Sequence, residues 1–170
     1  MLILESLTIE ILNKLELPVE ITFVNACREE IGHHGVQQFC SNNKLETDYN
    51  FVLDTTNGFN SFNNNSETSA KHNNVSVGSG VVVTNGYEFV DQKVHINFIE
   101  FLGNRTDLKF QQRFIDIDNI TDCDSVFKRF GKTLLLQVTT YGIHSSKEMC
   151  EISDVLHTVN SIVEFVKSKC

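Results

Sequence analysis

Ile21-Thr22-Phe23-Val24-Asn25-Ala26-Cys27-Arg28-Glu29-Glu30-Ile31-Gly32 is an apolar run that ends in two adjacent carboxylates and a glycine. Its first part predicts a strand over about residues 20–27. Adjacent carboxylates repel each other, so a fold that sets Glu29 and Glu30 at the end of a buried strand normally supplies a cation there. One can then bind metal while its neighbour handles a proton. Two later residues extend the pattern: Asp54, which ends the run Asn50-Phe51-Val52-Leu53, and His144, in the turn Tyr141-Gly142-Ile143-His144-Ser145-Ser146. Glutamate, aspartate and neutral imidazole are donors that zinc, cobalt or manganese accepts.

On either side of these residues the apolar spacing predicts alternating helices and strands. Leu2, Leu4, Leu7, Ile9, Ile11, Leu12 and Leu15 form a helical stripe that Pro18 closes. Gly32 and Gly35 bracket a turn into a short helix with Val36, Phe39 and Cys40, and a strand follows over about 50–54. Residues 57–76 are rich in Asn, Ser and Gly and read as a long polar loop inserted in the domain. Val77 to Val83 resumes as strand; Val90, Val94, Phe98, Ile99 and Leu102 recur at helical spacing. Leu108 to Ile117 alternates as a strand, Val126 and Phe127 sit on a short helix, and Lys132 to Val138 reads as a buried strand. A last helix has Ser153 as N-cap and Val155, Leu156, Val159, Ile162, Val163 and Val166 on one face. The alternation implies an α/β class, a three-layer domain whose central mixed, largely parallel sheet is flanked by helices. In such sheets ligands collect beyond the carboxyl ends of strands, where Glu29, Glu30, Asp54 and His144 all fall.

At 170 residues and 41% apolar content, the chain suits a single domain, 1–170, with one substantial core. Its 22 acidic and 14 basic residues, net charge −8, argue against nucleic acid or an anionic membrane as partner. The five cysteines show no Cys-x-x-Cys spacing, which points away from a zinc ribbon or disulfide framework and towards a reducing, cytoplasmic setting. Neither a basic leader nor an apolar run of roughly 20 residues is present, so a soluble intracellular protein is expected.

The Arg28-Glu29-Glu30-Ile31-Gly32-His33-His34-Gly35 segment, then Phe51-Val52-Leu53-Asp54-Thr55-Thr56, then Tyr141-Gly142-Ile143-His144-Ser145-Ser146-Lys147-Glu148-Met149 before a long helix, resembles the co-catalytic metallo-aminopeptidases. More narrowly it resembles the C-terminal half of the catalytic domain in their tetrahedral branch, which includes glutamyl aminopeptidases and endoglucanase-like proteins. The resemblance implies a zinc-peptidase-like fold and a peptide substrate, with two divalent metal ions, zinc, cobalt or manganese, as cofactors. It implies Glu29 as general base, Glu30 and His144 as ligands of one metal and Asp54 as a ligand of the second. Thr121-Asp122 resembles the family's Thr-Asp segment lining the substrate pocket. The family's His-x-Asp motif and bridging aspartate lie upstream of the Glu-Glu pair and are absent from this sequence. The first helix resembles the one that follows the bridging aspartate, so the domain reads as partial, truncated at its N-terminus. One metal then keeps two protein ligands and the other one, fewer than the three that hold catalytic zinc. The implied reaction is metal-dependent hydrolysis of N-terminal residues from peptides, incomplete or inactive in this polypeptide alone unless a complementing N-terminal half restores it. Self-association is the other partner expected. The alternative is a non-catalytic remnant or peptide-binding module on the same scaffold; a related di-metal carboxypeptidase or deacylase lineage is a third reading.

Taken singly, each residue also has a plainer role. Glu-Glu after a strand suits an exposed helix start, and Asp54 and His144 suit a cap or a hydrogen-bonded loop. His33 and His34 read as a solvated turn, His95 and His157 as helix-surface positions, and Cys27 as a buried structural thiol. Gly78-Ser79-Gly80 lacks the lysine of a phosphate loop and reads as strand-edge geometry.

Overall fold

The computed structural model describes residues 2–27, 32–58, 75–86, 89–115 and 122–170. Its elements are α1 (Leu2–Lys14), α2 (His34–Asn42), β1 (Asn50–Asn57), β2 (Val81–Asn85), α3 (Gln92–Gly103), β3 (Phe110–Phe114), α4 (Asp122–Phe130), β4 (Thr133–Tyr141), β5 (Met149–Cys150) and α5 (Ile152–Lys167). The sheet runs β1-β4-β2-β3, with β5 on the end of β4. β1 and β4 are parallel, as are β2 and β3, while β4 runs antiparallel to β2 and to β5. This is the expected mixed α/β sheet with helices on both sides.

Register assigns each strand residue to a face, because directly opposed residues point the same way. Phe51 opposes Leu134, and Leu53 opposes Leu136. This face is the apolar one. The Phe51 ring meets Phe98 of α3 and Phe165 of α5, each at 6.0 Å, and Phe98 and Phe165 meet edge-on at 4.9 Å. Val81, Val83, Val138, Val159, Ile162 and Val163 complete the core, and α1 adds Leu4 and Leu12. Burying each large side chain contributes about 1.5–3 kcal/mol, so this layer holds the domain together. α4, with α2 packed on it, covers β1 and β4 from the opposite face.

Several boundaries differ from the sequence reading. Residues 20–27 carry a strand pattern but pair with no strand among the described residues, and Ile21, Phe23 and Val24 stay 38–40% exposed. Apolar alternation signals a strand only where a neighbour takes up the backbone bonds; here the Cys27 carbonyl accepts from the Gly35 N–H at 3.1 Å instead. Cys27 is exposed, not buried. β2 starts at Val81, because Gly78 and Gly80 adopt φ of 82° and 94° and turn the chain before it. A Cβ at Gly80 would collide with the Lys109 carbonyl. The Glu151 backbone, not Ser153, begins α5; Val159, Ile162 and Val163 are buried as expected, joined by Phe165, whereas Leu156 is exposed. His95, expected at a helix surface, is buried. The polar loop expected over 57–76 lies mostly outside the described residues.

Candidate functional site

The second face of the sheet carries a polar cluster beside Val52, Val82 and Leu135. Asp54 opposes Gln137, Thr56 opposes Thr139, and the same face of β2 and β3 carries Thr84 and its register partner Arg113. Thr56, Thr84, Gln137 and Thr139 are buried. Buried polar groups must find one another, and these do. The Thr84 hydroxyl donates to Gln137 Oε1 at 2.7 Å, and Gln137 Nε2 donates to the Thr55 carbonyl at 3.2 Å and lies 3.5 Å from Asp54 Oδ2. Arg113 Nη1 donates to Thr56 Oγ1 and sits 3.5 Å from Gln137 Oε1. Burial pushes the Arg113 guanidinium below its ordinary pKa, and the Asp54 charge pushes it back up.

Asp54 therefore sits inside β1, which continues to Asn57, and not beyond the strand end. Its own carboxylate Oδ1 accepts from the Thr55 N–H at 2.7 Å. Asp54 is level with Gln137, while β4 runs on to Tyr141, roughly 13 Å further at ordinary strand rise.

His144 follows β4 in the turn that leads to β5, with Gly142 at φ 67° and His144 itself at φ 60°. The turn is closed by Ser145 N–H to the Gly142 carbonyl at 3.0 Å and by the Lys147 N–H to Ser145 Oγ at 3.2 Å. Its base is anchored from α5. The fully buried Asp154 accepts from Thr139 Oγ1 at 2.8 Å and from the N–H groups of Gly78 and Gly80 at 2.7 and 2.8 Å. One carboxylate thus ties β4, the turn before β2 and the first turn of α5 together.

Asp122 opens α4, and its Oδ1 lies 3.0 Å from Nδ1 of His33, the residue that precedes α2 at φ 58°. The sequence reads His33 as a solvated turn; in the fold its side chain is about four-fifths buried, against Asp122. Only the placement of α2 on α4 brings these two together, so no local signal could have paired them. Next to Asp122, the Cys123 thiol is fully buried, donates to the Phe89 carbonyl at 3.0 Å, and is pushed far up in pKa by burial and then by Asp124, Asp54 and Asp122. Asp54 and the start of α4 therefore share one electrostatic environment.

Glu29, Glu30 and Thr121 lie outside the described residues. Among the described residues, no group of three or more His, Cys, Asp or Glu side chains is arranged to hold a metal ion. The described donors do not by themselves fit a metal centre, and among the described residues Arg113 lies across Gln137 from Asp54.

The fold is shared with solved aminopeptidase structures. A TET aminopeptidase from a marine-sediment Thaumarchaeota archaeon superposes with TM-score 0.79 at 15% identity, over 96% of this chain and 45% of its own. A TET1 peptidase dodecamer gives 0.76 at 19% identity, over 96% and 46%. The aminopeptidase of Desulfurococcus kamchatkensis gives 0.70 at 14% identity, over 97% and 45%. At these identities the likeness is one of fold, and the chain spans under half the length of each neighbour. No curated protein matches the chain. The sequence profile of the M42 glutamyl aminopeptidase family matches residues 2–160, and the chain belongs to that family.

Proposed function

We propose that this chain is a partial catalytic domain of a metal-dependent aminopeptidase acting on peptide N-termini, and that the polypeptide alone hydrolyses peptides weakly or not at all. In this reading Glu29 is the base, Glu30 and His144 serve one metal and Asp54 the other, and Thr121 and Asp122 line the substrate pocket. The supporting observation is positional. β1 and β4 are parallel neighbours, so His144 leaves the sheet at the end towards which β1 runs, while Asp54 lies inside β1 and within electrostatic reach of the start of α4, where Asp122 sits. Zinc, cobalt or manganese suits carboxylate and imidazole donors.

A completing polypeptide that adds the remaining ligands, or self-association, follows from the family reading. Exposed Met149, Ile152 and Leu156, adjacent on β5 and the start of α5, offer an apolar surface for it. Among the described residues no helix is long and apolar enough to cross a membrane, and a cytoplasmic location agrees with the cysteine pattern. The test is hydrolysis of aminoacyl-anilides by the purified chain with cobalt, zinc or manganese added. Little or no turnover is expected; rates typical of a full aminopeptidase would overturn the incompleteness.

A second reading, a non-catalytic peptide-binding module on the same scaffold, is favoured by one observation, the Arg113 guanidinium that faces, across Gln137, the carboxylate that should draw a metal. Metal-dependent stabilisation separates the two, since an ion that binds the native state raises Tm. A rise with zinc or cobalt supports the peptidase lineage and no rise supports the module.

A further inference from the structure

A divalent cation site requires a negative local potential, and Asp54 has a fixed positive charge on its own face of the sheet. Arg113 donates only and a carboxylate accepts only, so the amide between them has one orientation: Gln137 Oε1 towards Arg113 at 3.5 Å, Nε2 towards Asp54 at 3.5 Å. The Thr84 hydroxyl at 2.7 Å from Oε1 reinforces it. Arg113 is further held by Thr56, two residues beyond Asp54 on the same face of β1. Its Nε is buried and has no hydrogen-bond partner, so the charge is confined within the polar layer without full solvation. In that setting charge effects are much stronger than at a solvated surface.

We propose that Arg113 is a built-in counter-cation for Asp54, holding the polar face together through Gln137 and Thr56 and opposing occupation of the Asp54 position by a divalent metal. This rests on the reading of Asp54 as a metal-directed carboxylate. Arg113 touches no reacting atom in this account; it is a positioning residue whose charge sets the potential at its neighbour.

The test is titration of the full chain with Co2+, followed by calorimetry and by cobalt visible absorption, for the native protein, Arg113→Met, Arg113→Gln, Arg113→Lys, Asp54→Asn and the double variant Arg113→Met with Asp54→Asn. Folding is checked by circular dichroism; Arg113→Gln retains hydrogen-bonding capacity towards Thr56 should the methionine variant not fold. Neutralising Arg113 is expected to tighten Co2+ binding roughly tenfold or more, Arg113→Lys to retain native affinity, and Asp54→Asn to erase the gain. If neither neutral variant binds more tightly than native while Asp54→Asn weakens binding, the proposal fails and Asp54 stands as a ligand. Should Asp54→Asn leave affinity unchanged in both backgrounds, the Asp54 reading fails and takes the proposal with it. Absence of binding in every variant also overturns the proposal.

Discussion

His33 Nδ1 lies 3.0 Å from Asp122 Oδ1, joining the residue before α2 to the first residue of α4. Both side chains are about four-fifths buried, so the contact is shielded from bulk water. A pair of this kind is expected to couple by about 0.5–1.5 kcal/mol. A double-mutant cycle with His33→Ala and Asp122→Ala, read by urea denaturation, measures it; additive effects would show that the contact does not link the two helices.

Asp154 is a fully buried anchor. Its two oxygens accept from three donors, two of them on Oδ2, so an amide would turn an NH2 group towards a donor. Asp154→Asn and Asp154→Ala are both expected to destabilise, the alanine variant by about 3 kcal/mol or more, because buried donors left without acceptors cost about 1–3 kcal/mol each. Denaturant titration checks the values. A change under about 0.5 kcal/mol for both would mean that water replaces the carboxylate without loss.

His95 makes stability depend on pH. Burial holds its imidazole below the ordinary 6.5, and its buried Nδ1 has no hydrogen-bond partner. The unfolded chain then binds the proton more readily than the folded one. The His95 contribution is therefore complete above pH 6.5 and is lost progressively as pH falls from 6.5 towards the lowered folded value. His95→Leu should flatten this part of the profile, visible as a smaller difference in denaturation midpoint between pH 7.5 and pH 5 (values on the order of the ordinary imidazole range). An unchanged slope in the variant would assign the acid sensitivity to carboxylates.

Thiol reactivity should divide the five cysteines by burial. Cys27, Cys150 and Cys170 are exposed, whereas Cys40 and Cys123 are buried and burial pushes both thiols up in pKa. With Ellman's reagent at neutral pH, three thiols should react quickly and two only on unfolding. Rapid reaction of Cys123 would show that the start of α4 opens readily from β1.

Helices α1 to α5 and strands β1 to β4 are legible as local patterns, with shifted ends at β2 and β3, because burying the apolar side chains of a helix or strand leaves its period in the sequence. The motif order Glu29-Glu30, Asp54, His144 likewise carried the family, which the match over residues 2–160 bears out. The roles given to Glu29, Glu30, Asp54, His144, Thr121 and Asp122 are proposals, and Glu29, Glu30 and Thr121 lie outside the described residues.

The amino-acid sequence by itself determined which segments could become helices and strands and which side chains could donate to an ion, because propensity, apolar period and donor chemistry are local properties. Tertiary structure alone decided the company those side chains keep. His33 meets Asp122 only through the packing of α2 on α4, and Arg113 reaches Thr56, 57 positions earlier, only because β3, β2, β4 and β1 line up in that order. Strand order is set by the collective burial of whole faces, and no short stretch of sequence contains that information.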